Sequence, residues 1–447
     1  MPEKRSQLRG AVRIRTFAIT AALLAAFFVV LPSAAFAADR YVDCDVPGND
    51  SGGCTVGSEC STLQYAASQV AAGETVYVRG TCDVNGASLQ TLVLDSFSHD
   101  NTTWTDWVGS PIIQNTGGDY GINLSSRTGV TFENFIFQGV DLHNVVISGG
   151  SGNILQYNVI RNATEDGVQV MDSSSNIIRN NSIYSNGTNG VEIYALGGMI
   201  ADNEVRRNYI YSNGYSGIYI IGTSGRSTWY VVDTVVHNNI LYNNSTDIGA
   251  GAAQISGSLS DGLELVHNTV ADGDDSEGSE IELFGCENTY LRNNIIQPPS
   301  GGIGLYIFAS ATGWDSDNNL IYSSGGSADV GSWDGTPATS LGDWQSASGD
   351  DAASQDADPL LDGTYHILTG SPAEEEGTTS LPATFSGLDI DGQTRPMPVG
   401  TNYDQGADEN GPEAGAVPEF SLLTMIVAFG LGLGTFGFVR HRGKAQS

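Results

Sequence analysis

The chain repeats one short phrase: an Asn, an aliphatic residue two places on, a second Asn three places after that, then a strand that usually opens with Gly. It reads Asn181-Ser-Ile-Tyr-Ser-Asn186, Asn208-Tyr-Ile-Tyr-Ser-Asn213 and Asn239-Ile-Leu-Tyr-Asn-Asn244, and weaker copies start at Asn158, Asn268, Asn294 and Asn319. Successive starts lie 23, 27, 31, 29, 26 and 25 residues apart. A period in the twenties, built of short β-like runs and turn residues, is that of a solenoid with one repeat per coil.

Within each coil Ile160, Ile183, Ile210, Leu241, Val270, Ile296 and Ile321 hold one equivalent place between freely varying neighbours. That is the period-2 pattern of an inward aliphatic on a strand. A second strand carries Gly167-Val-Gln-Val170, Gly190-Val-Glu-Ile193, Gly217-Ile-Tyr-Ile220 and Gly304-Leu-Tyr-Ile307; Ala252-Ala-Gln-Ile255 and Glu280-Ile-Glu-Leu283 are assigned to the same slot. No coil buries its aliphatics alone, so stacking at ~4.8 Å supplies both the core and the backbone pairing. The recurring Asn residues are expected at corners, in left-handed backbone conformation and hydrogen-bonded to their counterparts above and below.

These repeats resemble the right-handed parallel β-helix superfamily of pectate lyases, polygalacturonases and alginate epimerases, over roughly residues 40 to 330. The opening, Tyr41-Val-Asp, Ser61-Thr-Leu-Gln-Tyr-Ala-Ala and Ala72-Gly-Glu-Thr-Val-Tyr-Val-Arg-Gly80, resembles that of exported β-helix proteins. The resemblance implies a short helix capping the first coil, whose open edge would otherwise invite aggregation. The expected fold is all-β, a single-stranded right-handed parallel β-helix with an N-terminal cap and a C-terminal transmembrane helix. Its expected divisions are a signal peptide 1–37, a cap and first coil 38–95, the β-helix 96–322, a Ser/Gly/Asp-rich linker 323–357, a C-terminal cap 358–410 and a sorting segment 411–447.

The two ends carry an address. Basic residues at Lys4, Arg5, Arg9, Arg13 and Arg15 precede the apolar run Phe17 to Leu31 and then Ala35-Phe-Ala37, which reads as a secretory signal peptide. Leu422 to Val439 is apolar or small and ends in Arg440, His441, Arg442 and Lys444, a span with a cytoplasmic basic end. With Val417-Pro-Glu-Phe420 before it, this tail resembles PEP-CTERM sorting signals, which implies an exosortase-like membrane protease as partner; an ordinary single-pass anchor is the alternative. Asp358-Pro-Leu-Leu, Tyr365-His-Ile-Leu-Thr-Gly-Ser-Pro-Ala373, Asp389-Ile-Asp-Gly-Gln-Thr-Arg-Pro396 and Asp404-Gln-Gly-Ala-Asp-Glu409 resemble the tail of choice-of-anchor surface proteins.

From Ala38 to Phe420 there are ten Arg and no Lys against 50 Asp plus Glu, a charge of about −40. That excludes nucleic acid and anionic membrane surfaces as partners and keeps the protein soluble by self-repulsion. Such acidity suggests calcium binding or a saline habitat, with a generically acidic secreted surface as the alternative. The best calcium loop is Asp272-Gly-Asp274-Asp275-Ser-Glu277; Asp315-x-Asp317-x-Asn319 starts like a calcium loop but lacks the Gly. Four cysteines, Cys44, Cys54, Cys60 and Cys82, cluster near the N-terminus and predict two disulfides with three possible pairings; Cys286 is left over as a small buried residue.

Outward ladders are where the superfamily keeps its active sites. Arg179, Arg206 and His237 stand two places before leading Asn residues in consecutive coils, with Arg207 beside them. Like charges so placed need an anion between them, either a protein carboxylate such as Glu192 or Glu204 or the carboxylates of an acidic sugar. Tyr184, Tyr211 and Tyr242 form an aromatic ladder, suited to a sugar platform or to packing between coils. A further ladder, Gln169, Glu192, Tyr219, Gln254, Glu282 and Tyr306, has no two acids adjacent, whereas a paired-carboxylate hydrolase needs two close together. Thr164-Glu-Asp166-Gly167 echoes a polygalacturonase strand, but the Gly-His-Gly of that family and the Asp-Pro-His-His of the epimerases are both missing. A lyase base would have to be Arg206 or Arg207, with a strongly depressed pKa.

The leading expectation is an exported, surface-anchored protein contacting extracellular polysaccharide as a non-catalytic matrix or adhesion component. The alternative is a lyase, epimerase or glycoside hydrolase acting on a uronate-containing glycan. In that case Arg206, Arg207, His237, Glu192 and Asp166 are the catalytic candidates, with Arg179, Tyr184, Tyr211 and Tyr242 binding substrate.

Overall fold

The computed structural model describes residues 39–46, 50–84, 92–115, 117–222, 231–246, 253–271, 278–308, 312–323, 326–381, 387–396 and 399–410. Among the described residues the chain winds into a right-handed parallel β-solenoid whose coils feed three long sheets of eleven, ten and eleven strands, with a short fourth sheet of three strands running from Ile200–Ala201 to Ser260–Asp261. The first sheet runs from Arg40–Asp43 to Asp315–Asp317, the second from Thr81–Asp83 to Leu320–Ile321, and the third from Leu92–Leu94 to Asp329–Trp333. One coil, for example, is Ile177–Arg179, Ser182–Tyr184 and Val191–Tyr194. It pairs in parallel with Glu204–Arg206, Tyr209–Tyr211 and Ile218–Ile221 of the next.

The inward aliphatic column is as expected: Ile160, Ile183, Ile210, Leu241, Val270, Ile296 and Ile321 are fully buried. At about 1.5–3 kcal/mol for each such side chain, this column alone outweighs any single polar contact in the fold. The Asn residues behave differently from expectation. Each leading Asn lies inside the coil, and the residue before it takes the left-handed turn: Tyr157, Asn180, Arg207, Asn238, His267, Asn293 and Asn318 have φ of 51° to 58°. Freed from turning the chain, the leading Asn hydrogen-bonds upward. Asn181 donates from both its backbone N and its Nδ2 to Oδ1 of Asn208, at 2.9 and 3.0 Å. The same pair of bonds continues to Asn239, Asn268, Asn294 and Asn319. A second ladder joins Asn186, Asn213 and Asn244 and ends on Oε1 of Gln254.

That ending exposes a register error in the sequence reading. Tyr219 pairs with Ser256, so Ser256 and not Gln254 continues the outward ladder to Glu282 and Tyr306. Gln254 instead takes the place of Gly217, whose strand-opening position lies under the backbone of the next coil. A Cβ on Gly190 would stand 2.6 Å from the Gly217 carbonyl oxygen, which explains Gly there.

Both ends are closed. Helix α1 (Leu63–Gln69), with Thr62 as N-cap, buries Leu63, Ala66 and Ala67 in the core. The disulfides are Cys44–Cys82 and Cys54–Cys60, and Cys286 is buried and free as expected. The segment expected as a linker, 323–357, is ordered structure. It supplies the last third-sheet strand, an antiparallel partner Thr336–Ala338 and helix α2 (Leu341–Ser348). Trp344 is fully buried against Trp314 and Trp333, and its indole N–H donates to Asp351, which with Ser354 terminates the Asn ladder at Asn319. Its Ser/Gly/Asp composition hid these partners because the apolar contacts come from isolated Trp residues.

Residues 358–410 lie along the second sheet. Tyr365 stacks on Tyr242, His366 Nε2 meets the Tyr209 hydroxyl at 3.1 Å, and Asn238 and Asn293 donate to the carbonyls of Leu388 and Thr378. The Arg395–Glu409 pair within it is wholly buried at 2.9 Å. The segments expected as a signal peptide, 1–37, and as a membrane span, 422–439, lie outside the described residues; among those described, no helix is long and apolar enough to cross a membrane.

Candidate functional site

A groove of about 560 Å³ opens on the outer face of the third sheet and the turn leading into it. It is lined by His143, Glu165, Asp166, Gln169, Thr188, Asn189, Glu192, Tyr215, Ser216 and Tyr219. The strand Val168–Met171 presents Gln169 outward, the strand above presents Glu192 and the next Tyr219, in direct register. Asp166 enters from the turn before its strand, beside His143 of the coil below and Asn189 of the coil above.

Two carboxyls of opposite character meet here. Asp166 is buried, which alone would raise its pKa. It is nonetheless held below the usual range by His143 and by donors on Oδ1: the Thr188 hydroxyl at 2.5 Å and the backbone and side-chain N–H of Asn189 at 2.9 Å each. Glu192 is pushed the other way, to about 7, first by burial and then by the charge of Asp166, with which it is in hydrogen-bonding contact. Its remaining oxygen accepts from Gln169 Nε2 at 2.8 Å. His143 Nδ1 lies 3.1 Å from Asp166 Oδ2, and its Nε2 lies 3.3 Å from Glu165 Oε2. Burial lowers the His143 pKa, but the hydrogen bond and charge of Asp166 outweigh it and the net shift is upward. The groove therefore holds one carboxylate fixed as an anion, one carboxyl that keeps its proton to neutrality, and an imidazole set between the anion and Glu165.

Of the catalytic and substrate-binding candidates, Asp166 and Glu192 come together here, with Gln169 and Tyr219 of the outward ladder, and the others do not. Arg179, Arg206 and His237 are in register on the first sheet. The anion between them is Glu204, which lies 3.0 Å from Arg206 and 2.8 Å from the fully buried His237. Burial and then Glu204 set His237, whose pKa is lowered overall. Arg179 bonds Gln156, and Arg207 is buried in its left-handed turn. Tyr184, Tyr211 and Tyr242 stack at 4.8 Å, with Arg161 bonded to Tyr184 at one end and Tyr365 covering Tyr242 at the other. Arg292 engages Asp315 and Asp317, so that stretch is an ion-paired strand. The calcium loop Asp272, Asp274, Asp275 and Glu277 lies outside the described residues. Among those described, His366, Asp391 and Asp408 bring potential metal-ligating atoms within 4.8 Å of one another, at the seam between tail and second sheet.

His143, Glu165 and Thr188 escaped the sequence reading, although the signal was present. Positions 143, 166 and 189 are separated by one 23-residue coil each, so the period places them side by side. His143 precedes the first clear repeat, and tracking strand ladders alone missed acids that enter from turns.

Residues 99–270 match the family described as "Right handed beta helix region". Solved structures similar to the chain include a pectate lyase at 14% identity, covering 83% of this chain and 96% of that one with a TM-score of 0.45. The A-module of a mannuronan C-5 epimerase from Azotobacter vinelandii has 14% identity, 59% and 80% coverage and a TM-score of 0.40. A GH136 lacto-N-biosidase from Eubacterium ramulus has 12% identity, 65% and 64% coverage and a TM-score of 0.45. At these identities the likeness is one of fold. No curated protein matches the chain.

Proposed function

We propose that the protein is an exported glycan-cleaving enzyme in which Glu192 is the general acid and Asp166 the ionised partner. The observation that carries this reading is the pairing of a Glu held protonated to about 7 with an Asp held ionised, in an open groove. Two carboxyls whose surroundings push their pKa values apart divide the acid and base roles. The Glu192 proton would go to the glycosidic oxygen. Asp166, held in place by His143, would stabilise positive charge developing on the sugar ring and accept the proton of the attacking water, whose oxygen bonds to the anomeric carbon as the glycosidic bond breaks. The two acids are in contact, nearer than the roughly 5–9.5 Å of glycosidases, so a sugar oxygen entering between them would replace their mutual hydrogen bond.

Hydrolysis is favoured over elimination because the arginines a lyase would need, Arg206 and Arg207, belong to the first sheet and do not line the groove. The leader sequence and the two disulfides support export, and the acidic surface supports a carbohydrate partner over nucleic acid. A non-catalytic surface role would leave the Glu192–Asp166 pair as a buried-acid cost without return. The test is release of reducing ends from a panel of glycans. Glu192→Gln is expected to lower the rate at least 100-fold, and the wild-type rate to fall as pH rises through 7, where the acid loses its proton. Equal rates for wild type and Glu192→Gln, or no turnover on any glycan, would overturn the proposal.

A further inference from the structure

Resting on the hydrolase reading, we infer that the groove takes an uncharged glycan several sugars long, whose far end seats on an aromatic shelf formed by Phe284, Tyr306 and Phe308. The first ground is charge. Three carboxyls and one imidazole line the groove, with no Arg or Lys among them. Glu282 adds a fourth carboxyl along the same face. A uronate would bring its own carboxylate into this field with no Arg or Lys to meet it and the one imidazole already engaged by Asp166 and Glu165, and like charges at close quarters repel. A neutral sugar offers hydroxyls, which carboxylates and amides bind well.

The second ground is continuity. Upward from Glu192 the outward positions are Tyr219, Ser256, Glu282 and Tyr306. The parallel column runs from Tyr194 through Ile221 and Ser258 to Phe284 and Phe308. Between the groove and the phenylalanines stand Ser256, which is buried against Ser216, and the half-buried Ser258. Beyond them Phe284 and Phe308 are 45% and 36% exposed, with rings 5.3 Å apart at 19°, and Tyr306 lies parallel to Phe308 at 6.4 Å. Phe284 and Phe308 are exposed, aligned rings on this sheet face, and aromatic faces stack on the apolar faces of sugars. Phe284 stands three coils from Glu192, roughly 14 Å at ~4.8 Å per coil, so a disaccharide held at Glu192 cannot reach it and a longer chain can.

The test uses the full chain with cello-, xylo-, β-1,3-gluco- and chito-oligosaccharides of two and six sugars, alongside oligogalacturonates and oligoalginates of the same lengths. Cleavage is followed as kcat/KM, and thermal melting checks that each variant is folded. The expected result is cleavage of a neutral series with six sugars preferred over two, a preference reduced about tenfold in Phe284→Ala/Phe308→Ala. Glu192-dependent cleavage whose length preference is unchanged in that variant would overturn the shelf and leave the hydrolase standing. Preferred cleavage of an oligouronate would overturn the uncharged substrate. Absence of Glu192-dependent cleavage from every series would remove the hydrolase reading and this inference together.

Discussion

Asn208 shows how much of this fold rests on single side chains. Its Oδ1 accepts from the backbone and side chain of Asn181, and its Nδ2 donates to the Ile178 carbonyl and to Asn239 Oδ1. All of these groups are buried, so truncation leaves several of them unpaired, and each unmet group costs about 1–3 kcal/mol. Asn208→Ala is expected to lower unfolding free energy by about 2–4 kcal/mol in urea titrations, whereas Ser182→Ala, on the half-exposed outer face one coil below, is expected to shift it by less than about 0.5 kcal/mol. The spacing of Asn residues announced this ladder. What it could not announce was which residue turns the corner, because the left-handed site accepts Tyr157, Arg207 and His267 as well as Asn.

At the scale of the element, the tail 358–410 is held to the second sheet by groups that titrate. Burial alone would lower the His366 pKa, but the hydrogen bond with Asp391 and the charges of Asp408, Asp391 and Asp362 raise it to about 9. Asp389 and Asp404 are each pushed to about 7, mainly by burial. A His raised from ~6.5 contributes stability that is complete below pH ~6.5 and is lost as pH rises through about 9. Acids raised to about 7 act in the same direction, since their ionisation between pH ~4 and 7 is easier in a released tail. Docking is therefore expected to be tightest at about pH 4 and loosest above 9. Hydrogen exchange across 358–396, corrected for intrinsic rates, should accelerate between pH 6 and 9.5, and His366→Gln should flatten that step. Unchanged protection over this range would contradict the docking scheme. The motifs in this segment were legible, but their seat against Tyr209 and Tyr242 was not, because it depends on contacts more than 100 residues apart.

For the whole molecule, the repeat fixes the architecture and the arithmetic of the repeat locates the groove. The coil period brings 143, 166 and 189 together, while the ladder of outward strand positions holds only Glu192 of the acid pair. The pattern places Asp166 and Glu192 among the catalytic candidates but joins them to arginines that face a different direction, because proximity in the chain does not say which of three sheets a side chain leaves. What no pattern of residue types could supply is the difference in environment. Asp166 gains three donors and an imidazole, whereas Glu192 has one amide donor and a neighbouring negative charge. That difference is the central claim, and it can be measured without a substrate. Carboxyl-labelled Glu is incorporated into the protein, and the Glu192 resonance is assigned by its absence in Glu192→Gln and followed by carbon-13 NMR from pH 3 to 9. A midpoint near 7 that falls in Asp166→Asn yet stays above the ~4.5 of a free Glu, because burial remains, is the predicted result. A midpoint near 4.5 in the wild type would contradict the account.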